Sequence, residues 1–136
     1  MKSDEELLRS FKLYIGEDDI AYLEFLGAQD VPENNIRQAE LIRDGLTKLL
    51  EESPERDYNM LIDLTATSVV TNIPDRSKEI YAKSPVFKKM YKIAVVTPSL
   101  LLKILTSAVS LIGGKYEGIK SFDNREEALG WLKPGK

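Results

Sequence analysis

The sequence of 136 residues contains neither cysteine nor histidine, and each absence excludes a class of chemistry. Without cysteine there is no disulfide framework and no thiolate nucleophile. Without histidine the chain lacks the commonest general base and the commonest metal ligand. The glycines form no glycine-rich loop followed by lysine, so no phosphate cradle is indicated. We therefore expect no metal, no cofactor and no enzymatic activity.

Long apolar stretches are also missing. The N-terminal residues Met1–Glu6 are charged and lack the apolar core of a signal peptide. The most apolar helical segment, residues 98–112, is shorter than the roughly 20 residues that span a bilayer. We therefore expect no transmembrane segment and a cytoplasmic location.

Charge is unevenly distributed along the chain, whose net charge is −3. Residues 1–58 carry 15 acidic and 7 basic side chains, whereas residues 59–136 carry 7 acidic and 12 basic ones. The length suits one domain. The asymmetry therefore predicts two differently charged faces rather than two domains.

Two short apolar runs, Met60–Thr65 and Lys92–Thr97, predict buried strands, since each is continuous and ends at a hydroxyl residue. Helical sequence lies between them, so we expect them to be parallel, adjacent and central in one sheet. The alternating segments Phe11–Ile15 and Ile20–Leu26, joined by a turn at Gly16–Asp19, predict a preceding hairpin.

Amphipathic segments bounded by proline, glycine and capping residues predict the helices. The first begins near Pro32, the second at Asn72–Asp75 with a break at Pro85, the third spans residues 98–112, and the last follows Asp123-Asn124 after a strand at Tyr116–Phe122. The order β-β-α-β-α-β-α-β-α predicts one α/β domain with right-handed crossovers. We assign this domain to residues 11–136 and treat residues 1–10 as an N-terminal extension, in which Ser3–Glu6 has capping-box spacing.

Several motifs in this order resemble the SpoIIAA-like family of STAS-type domains, which are related in fold to anti-sigma-factor antagonists. The motifs are Leu61-Ile62-Asp63-Leu64-Thr65, the segment Asp75–Lys83, the run Lys92–Val96 with Thr97-Pro98-Ser99, and the ending Ser121–Leu132 with its Glu-Glu-Ala-Leu and Trp-Leu. The resemblance covers about residues 11–133. It implies a mixed sheet that starts with an antiparallel hairpin, and a non-enzymatic regulatory module that binds proteins.

In antagonist members of the family, a partner kinase phosphorylates a serine near the start of the helix after the Asp-Leu-Ser strand. Here that position falls near Asn72 or Ile73, and Thr71-Asn72-Ile73-Pro74 replaces the usual Asp-Ser-Ser-Gly. The standard phosphorylation site is thus absent from its usual place. Neighbouring hydroxyl residues remain as alternatives, but such residues more often cap turns and strand ends.

The binding site is predicted at the carboxyl ends of the parallel strands, where ligands of α/β sheets sit. The loops there lead into helix N-termini, which favour anions. We expect contacts with a protein partner, a phosphate or a carboxylate at Asp63, Thr65, Thr67, Thr71, Asn72, Thr97 and Ser99.

Asp63 is the one acidic residue inside a predicted buried strand. It has two interpretations, a catalytic carboxylate with a raised pKa or an acid that is hydrogen-bonded to loop amides. The second is the commoner arrangement. An enzyme that uses Asp63 and nearby hydroxyls is the hypothesis we favour least.

Residues 76–92 carry a basic run: Arg76, Lys78, Lys83, Lys88, Lys89 and Lys92, against one acid, Glu79. Such a run can attract an anionic partner. The aromatic interleaving of single-strand binders is missing, however, and Glu79 and Lys83 have the i,i+4 spacing of an ordinary exposed helix. We therefore interpret the run as a solvated face and expect no nucleic acid partner.

The predicted third helix is more apolar than packing on one sheet requires. One hypothesis is a two-fold homodimer through Leu101, Leu105, Ala108 and Ile112. The alternative is a carrier for a small apolar or lipid-like ligand, by analogy with the related CRAL-TRIO fold. A third interpretation, a helix covered within the monomer, remains open.

Overall fold

Five strands form one mixed sheet in the computed structural model, which describes residues 2–27, 29, 31–51, 58–67, 73–88, 90–97 and 118–133. The strands are β1 (Phe11–Ile15), β2 (Ala21–Phe25), β3 (Met60–Asp63), β4 (Ile93–Val96) and β5 (Ile119–Phe122). Their spatial order is their chain order; β1 and β2 are antiparallel, and β2 to β5 are parallel. The predicted central, parallel pairing of β3 and β4 is confirmed.

The described helices are α1 (Asp4–Leu8), α2 (Pro32–Leu50), α3 (Asp75–Lys83), α4 (Pro85–Lys88) and α5 (Arg125–Leu132). Their boundaries follow the predicted signals. Pro32 occupies the first turn of α2, and α3 ends before Pro85. Asn124 caps α5 by accepting a hydrogen bond from the Glu127 N–H at 2.9 Å.

The main core lies between one face of the sheet and helices α2 to α4. On α2, Ile42 and Leu46 recur at helical spacing and are fully buried against Leu23 of β2 and Met60 of β3. Val86 of α4 joins the same cluster. These buried positions of α2 agree with the amphipathic pattern from which the helix was predicted.

The opposite face of the sheet is covered by α5. Leu61, Val96 and Phe122 of three neighbouring strands pack with Ala128 and Leu132 of this helix. The last turn of α5 is held by two donors that lie just before strands β3 and β4. The Asn59 side-chain amide donates to the Leu132 carbonyl at 2.7 Å, and the Lys92 amine donates to the Trp131 carbonyl at 3.0 Å.

The first residues form a short helix that packs on α2. The Glu6 N–H donates to the Ser3 hydroxyl, so the predicted capping motif is present. Leu7 is fully buried, and the Arg37 guanidinium binds both oxygens of Asp4 at 2.9 and 2.8 Å. The division into an extension, 1–10, and a domain, 11–136, stays a prediction.

Strand β3 ends two residues earlier than the sequence indicates. The carboxylate of Asp63 accepts a hydrogen bond from the Thr65 N–H at 3.0 Å, which bends the chain into a 3-10 turn at Thr65–Thr67. The strand predicted from Tyr116 is described from Ile119 onward. The predicted helix at residues 98–112 lies outside the described residues.

Candidate functional site

The carboxyl ends of the four parallel strands meet along one rim of the sheet. The strand register aligns Glu24 with Asp63, Asp63 with Val96, and Val96 with Phe122. Two acidic side chains therefore lie side by side on neighbouring strands, on the sheet face that α5 covers. Such a pair requires a cation, because adjacent carboxylates repel one another.

Arg125, the first residue of α5, supplies that cation. Its Nη2 atom lies 2.7 Å from Glu24 Oε2, and its Nη1 atom lies 3.4 Å from Asp63 Oδ2. The guanidinium also lies over the Tyr22 ring, 5.2 Å from its centroid. Burial opposes the charged form of Arg125, but the hydrogen bond and charge of Glu24 outweigh it and raise the pKa of Arg125.

Asp63 is engaged on both of its oxygens. Oδ1 accepts hydrogen bonds from the Thr65 N–H at 3.0 Å and the Thr65 hydroxyl at 2.7 Å, while Oδ2 faces Arg125. Of its two predicted interpretations, the hydrogen-bonded structural acid is the one that the geometry matches.

Two tyrosines extend the site across the hairpin. The rings of Tyr14 and Tyr22 stack with centroids 5.1 Å apart and an interplanar angle of 9°. The Tyr14 hydroxyl donates to Glu24 at 3.2 Å, and the Tyr22 hydroxyl donates to Asp18 in the hairpin turn at 2.6 Å. A side chain at Gly16 would place its Cβ 2.7 Å from the Tyr22 ring, so the turn requires glycine there.

We expect the stability of the fold to decrease between about pH 10 and pH 12. Burial raises the pKa of Tyr22 to about 12, and its hydrogen bond to Asp18 acts in the same direction. The unfolded chain gives up this proton near pH 10. The stabilisation is therefore complete below pH 10 and is lost as the pH approaches 12.

An ultraviolet titration of the tyrosines checks this expectation. Tyr22→Phe should remove an absorbance step near pH 12, whereas Tyr91→Phe, at a side chain that is 67% exposed, should leave that step in place. A wild-type titration without this late step would contradict the assignment.

Only some of the predicted site residues lie at the rim of the sheet. Asp63 and Thr65 lie together at the rim, and Thr67 closes the turn that follows. Thr97 is fully buried, and its N–H donates to the Phe122 carbonyl at 2.9 Å, so it lies beneath the rim surface. The remaining predicted residues lie outside the described part of the chain: Thr71, Asn72, Ser99, and the self-association set Leu101, Leu105, Ala108 and Ile112.

Four contributors were missed by the sequence analysis: Tyr14, Tyr22, Glu24 and Arg125. Two signals point to them. Glu24 interrupts an otherwise apolar strand, which requires a partner for its charge. Arg125 places a cation at a helix N-terminus, where the helix dipole disfavours it, so another contact must hold it there.

The basic run 76–92 is partly neutralised by its own neighbours. Arg76 lies 3.8 Å from Glu79, and Lys78 lies 3.5 Å from Asp75. The Lys92 amine lies 5.0 Å from the centroid of the Trp131 ring. These contacts agree with a solvated face.

Within the described residues, no helix is long and apolar enough to cross a membrane. The acidic residues of the same ranges form no cluster of three or more that could hold a metal ion.

These features define an α/β domain of STAS type, in which a hairpin leads into a parallel sheet and a C-terminal helix covers one face. The chain belongs to the SpoIIAA-like family, whose model matches residues 32–133. A solved structure shares this fold: an uncharacterized protein with a SpoIIAA-like fold from Shewanella loihica PV-4. It has a TM-score of 0.58 and 16% identity, and the match covers 90% of this chain and 92% of that one. No curated protein matches the chain.

Proposed function

We propose that the protein is a non-enzymatic binding module that acts through protein–protein contacts at the rim of Glu24, Asp63, Thr65 and Arg125. STAS-type domains often have regulatory or binding roles, which supports this class of function. The observation that carries the proposal is the mutual pairing of the ionised groups at the rim. Arg125 binds both carboxylates, and Asp63 also holds Thr65.

Mutual pairing favours recognition over catalysis. A general acid or base needs a carboxylate oxygen that can reach a substrate, whereas the oxygens of Asp63 already accept hydrogen bonds from Thr65 and Arg125, and Glu24 is paired with Arg125. A fixed arrangement of charges is suited to positioning a partner. Arginine and tyrosine are also enriched at protein interfaces, and the side chain of Arg125 is 38% exposed beside the partly exposed ring of Tyr14.

The finer expectations from the sequence remain proposals. An anionic contact is proposed at the loops after β3 and β4, and the homodimer through Leu101, Leu105, Ala108 and Ile112 stays a prediction from the sequence, as one of two alternative dimer surfaces. A carrier for a small apolar or lipid-like ligand is the alternative proposal, and it also depends on residues 98–112. The cytoplasmic location stays a prediction.

Site-specific photo-crosslinking in the native host tests the proposed surface. A photoreactive phenylalanine at Thr65, which is exposed at the rim, should form a crosslink to one protein of defined mass. The matched control carries the same group at Tyr91, which is 67% exposed next to the start of β4 at the opposite end of the sheet. The Tyr91 control should not crosslink to that protein.

Binding of the partner should also depend on the charge of the site. Glu24→Gln in the Thr65 crosslinking variant should reduce the yield of the same adduct, because it changes the charge balance around Arg125. Equal crosslinking from Thr65 and Tyr91, or crosslinking from Tyr91 alone, would contradict the proposal.

A further inference from the structure

The outer edge of β1 has backbone groups that the described sheet does not use. Antiparallel pairs alternate between bonded and non-bonded positions. The Gly16 N–H donates to the Ile20 carbonyl, and the Leu26 N–H donates to the Ser10 carbonyl, so these two pairs occupy bonded positions. Counting in steps of two along the register between them, the backbone groups of Lys12 and Tyr14 are the ones that bond to β2. The N–H and carbonyl groups of Phe11, Leu13 and Ile15 therefore point away from β2. Among the described residues, none forms a hydrogen bond with them.

We infer that this edge is a self-association surface, on which β1 of a second copy pairs antiparallel with Leu13 opposite Leu13. This register uses the whole strand, because Phe11 then lies opposite Ile15 of the other copy. Phe11, Leu13 and Ile15 all present outward backbone groups. The Leu13–Leu13 pair and the two Phe11–Ile15 pairs can therefore each exchange two hydrogen bonds. The two sheets would join into one continuous sheet across a two-fold axis.

The side chains fit a second copy in this register. Lys12 comes opposite Tyr14 of the other copy at a non-bonded position, where side chains are closest and an amine can contact a ring face. Lysine on an edge strand often prevents pairing. Here each lysine would meet an aromatic ring rather than another lysine. Tyr14 is 38% exposed and stacks on Tyr22 from the inner side, so its ring is already oriented.

The ends of the strand are complementary in charge. Arg9 lies just before β1, in the cap of α1, and Glu17 lies just after it, in the hairpin turn, so the same register brings the strand end that carries Arg9 near the strand end that carries Glu17, twice per dimer. Among the described residues, the Arg9 side chain pairs with Glu5 alone, at 2.9 Å, and the two side chains are 72% and 77% exposed. Such an exposed pair exchanges partners at little cost.

A charge-swap series measured by sedimentation equilibrium, from about 1 µM to about 1 mM protein, tests the register. Arg9→Glu and Glu17→Arg should each weaken dimerisation roughly tenfold, since each places like charges opposite one another twice. The double variant Arg9→Glu/Glu17→Arg should restore the wild-type dissociation constant. Lys48→Glu, a charge reversal on exposed α2, should leave it unchanged.

Far-UV circular dichroism and thermal melting of each variant separate weakened pairing from unfolding. Rescue by the double variant supports β1 pairing even if a single change lowers stability. The proposal is overturned if the wild type stays monomeric across this range. It is also overturned if the swaps behave like Lys48→Glu while Leu101→Glu or Leu105→Glu produces a folded monomer, because the predicted third helix would then carry the dimer.

Discussion

Replacing Arg125 with methionine should lower the free energy of unfolding by about 1–3 kcal/mol at neutral pH. Methionine keeps most of the apolar stem but removes the cation. Glu24 and Asp63, whose side chains are 20% and 17% exposed, would then lie side by side without their shared partner. Urea unfolding monitored by circular dichroism measures the loss.

A double-mutant cycle separates the charge contact from general packing. In the Arg125→Met background, Glu24→Gln should recover part of the loss, because it removes one of the two unpaired charges. Arg43→Met is the matched control, since the partner of Arg43 is Asp44, whose side chain is 61% exposed. It should cost well under about 1 kcal/mol. Equal losses for the two arginines would show that Arg125 is an ordinary surface residue.

Replacing Leu61 with alanine should cost about 2–5 kcal/mol, the largest effect that we expect from a single truncation. Leu61 is fully buried in β3, between β2 and β4, on the face that α5 covers. Its removal leaves a cavity beneath α5, a helix of eight residues. The fluorescence of Trp131, which packs against the same cluster, should change in the folded variant.

Leu26→Ala is the control for this truncation. The two leucines lose the same atoms, but Leu26 is 50% exposed beyond the end of β2, so its change should stay within about 0.5 kcal/mol. Similar costs at both positions would mean that the cluster under α5 contributes little to stability.

The positions of the described elements were largely predictable because their signals are local. A continuous apolar run identified β3, Pro32 identified the start of α2, and Asn124 identified the cap of α5. The predicted end of a strand was less accurate where a side chain forms hydrogen bonds with the nearby backbone. The hydrogen bonds from Asp63 to Thr65 end β3 before the hydroxyl residues that marked its predicted end.

Only part of the candidate site was predictable, because some of its residues are far apart along the chain. Asp63 and Thr65 lie in one local motif, so their spacing alone indicated that they would meet. Arg125 is 62 residues from Asp63, and only the packing of α5 on the sheet brings the two charges together.

The sequence by itself determined the class of this protein: residue types, periodicity and capping specify an α/β domain and exclude histidine and cysteine chemistry. Tertiary structure alone decided which charges meet. Strand register placed Glu24 beside Asp63, and the cap at Asn124 set the starting point of α5 so that Arg125 reaches both. The physical reason is that the interaction of two charges depends on their separation in space, and the residues next to each charge in the sequence do not specify that separation.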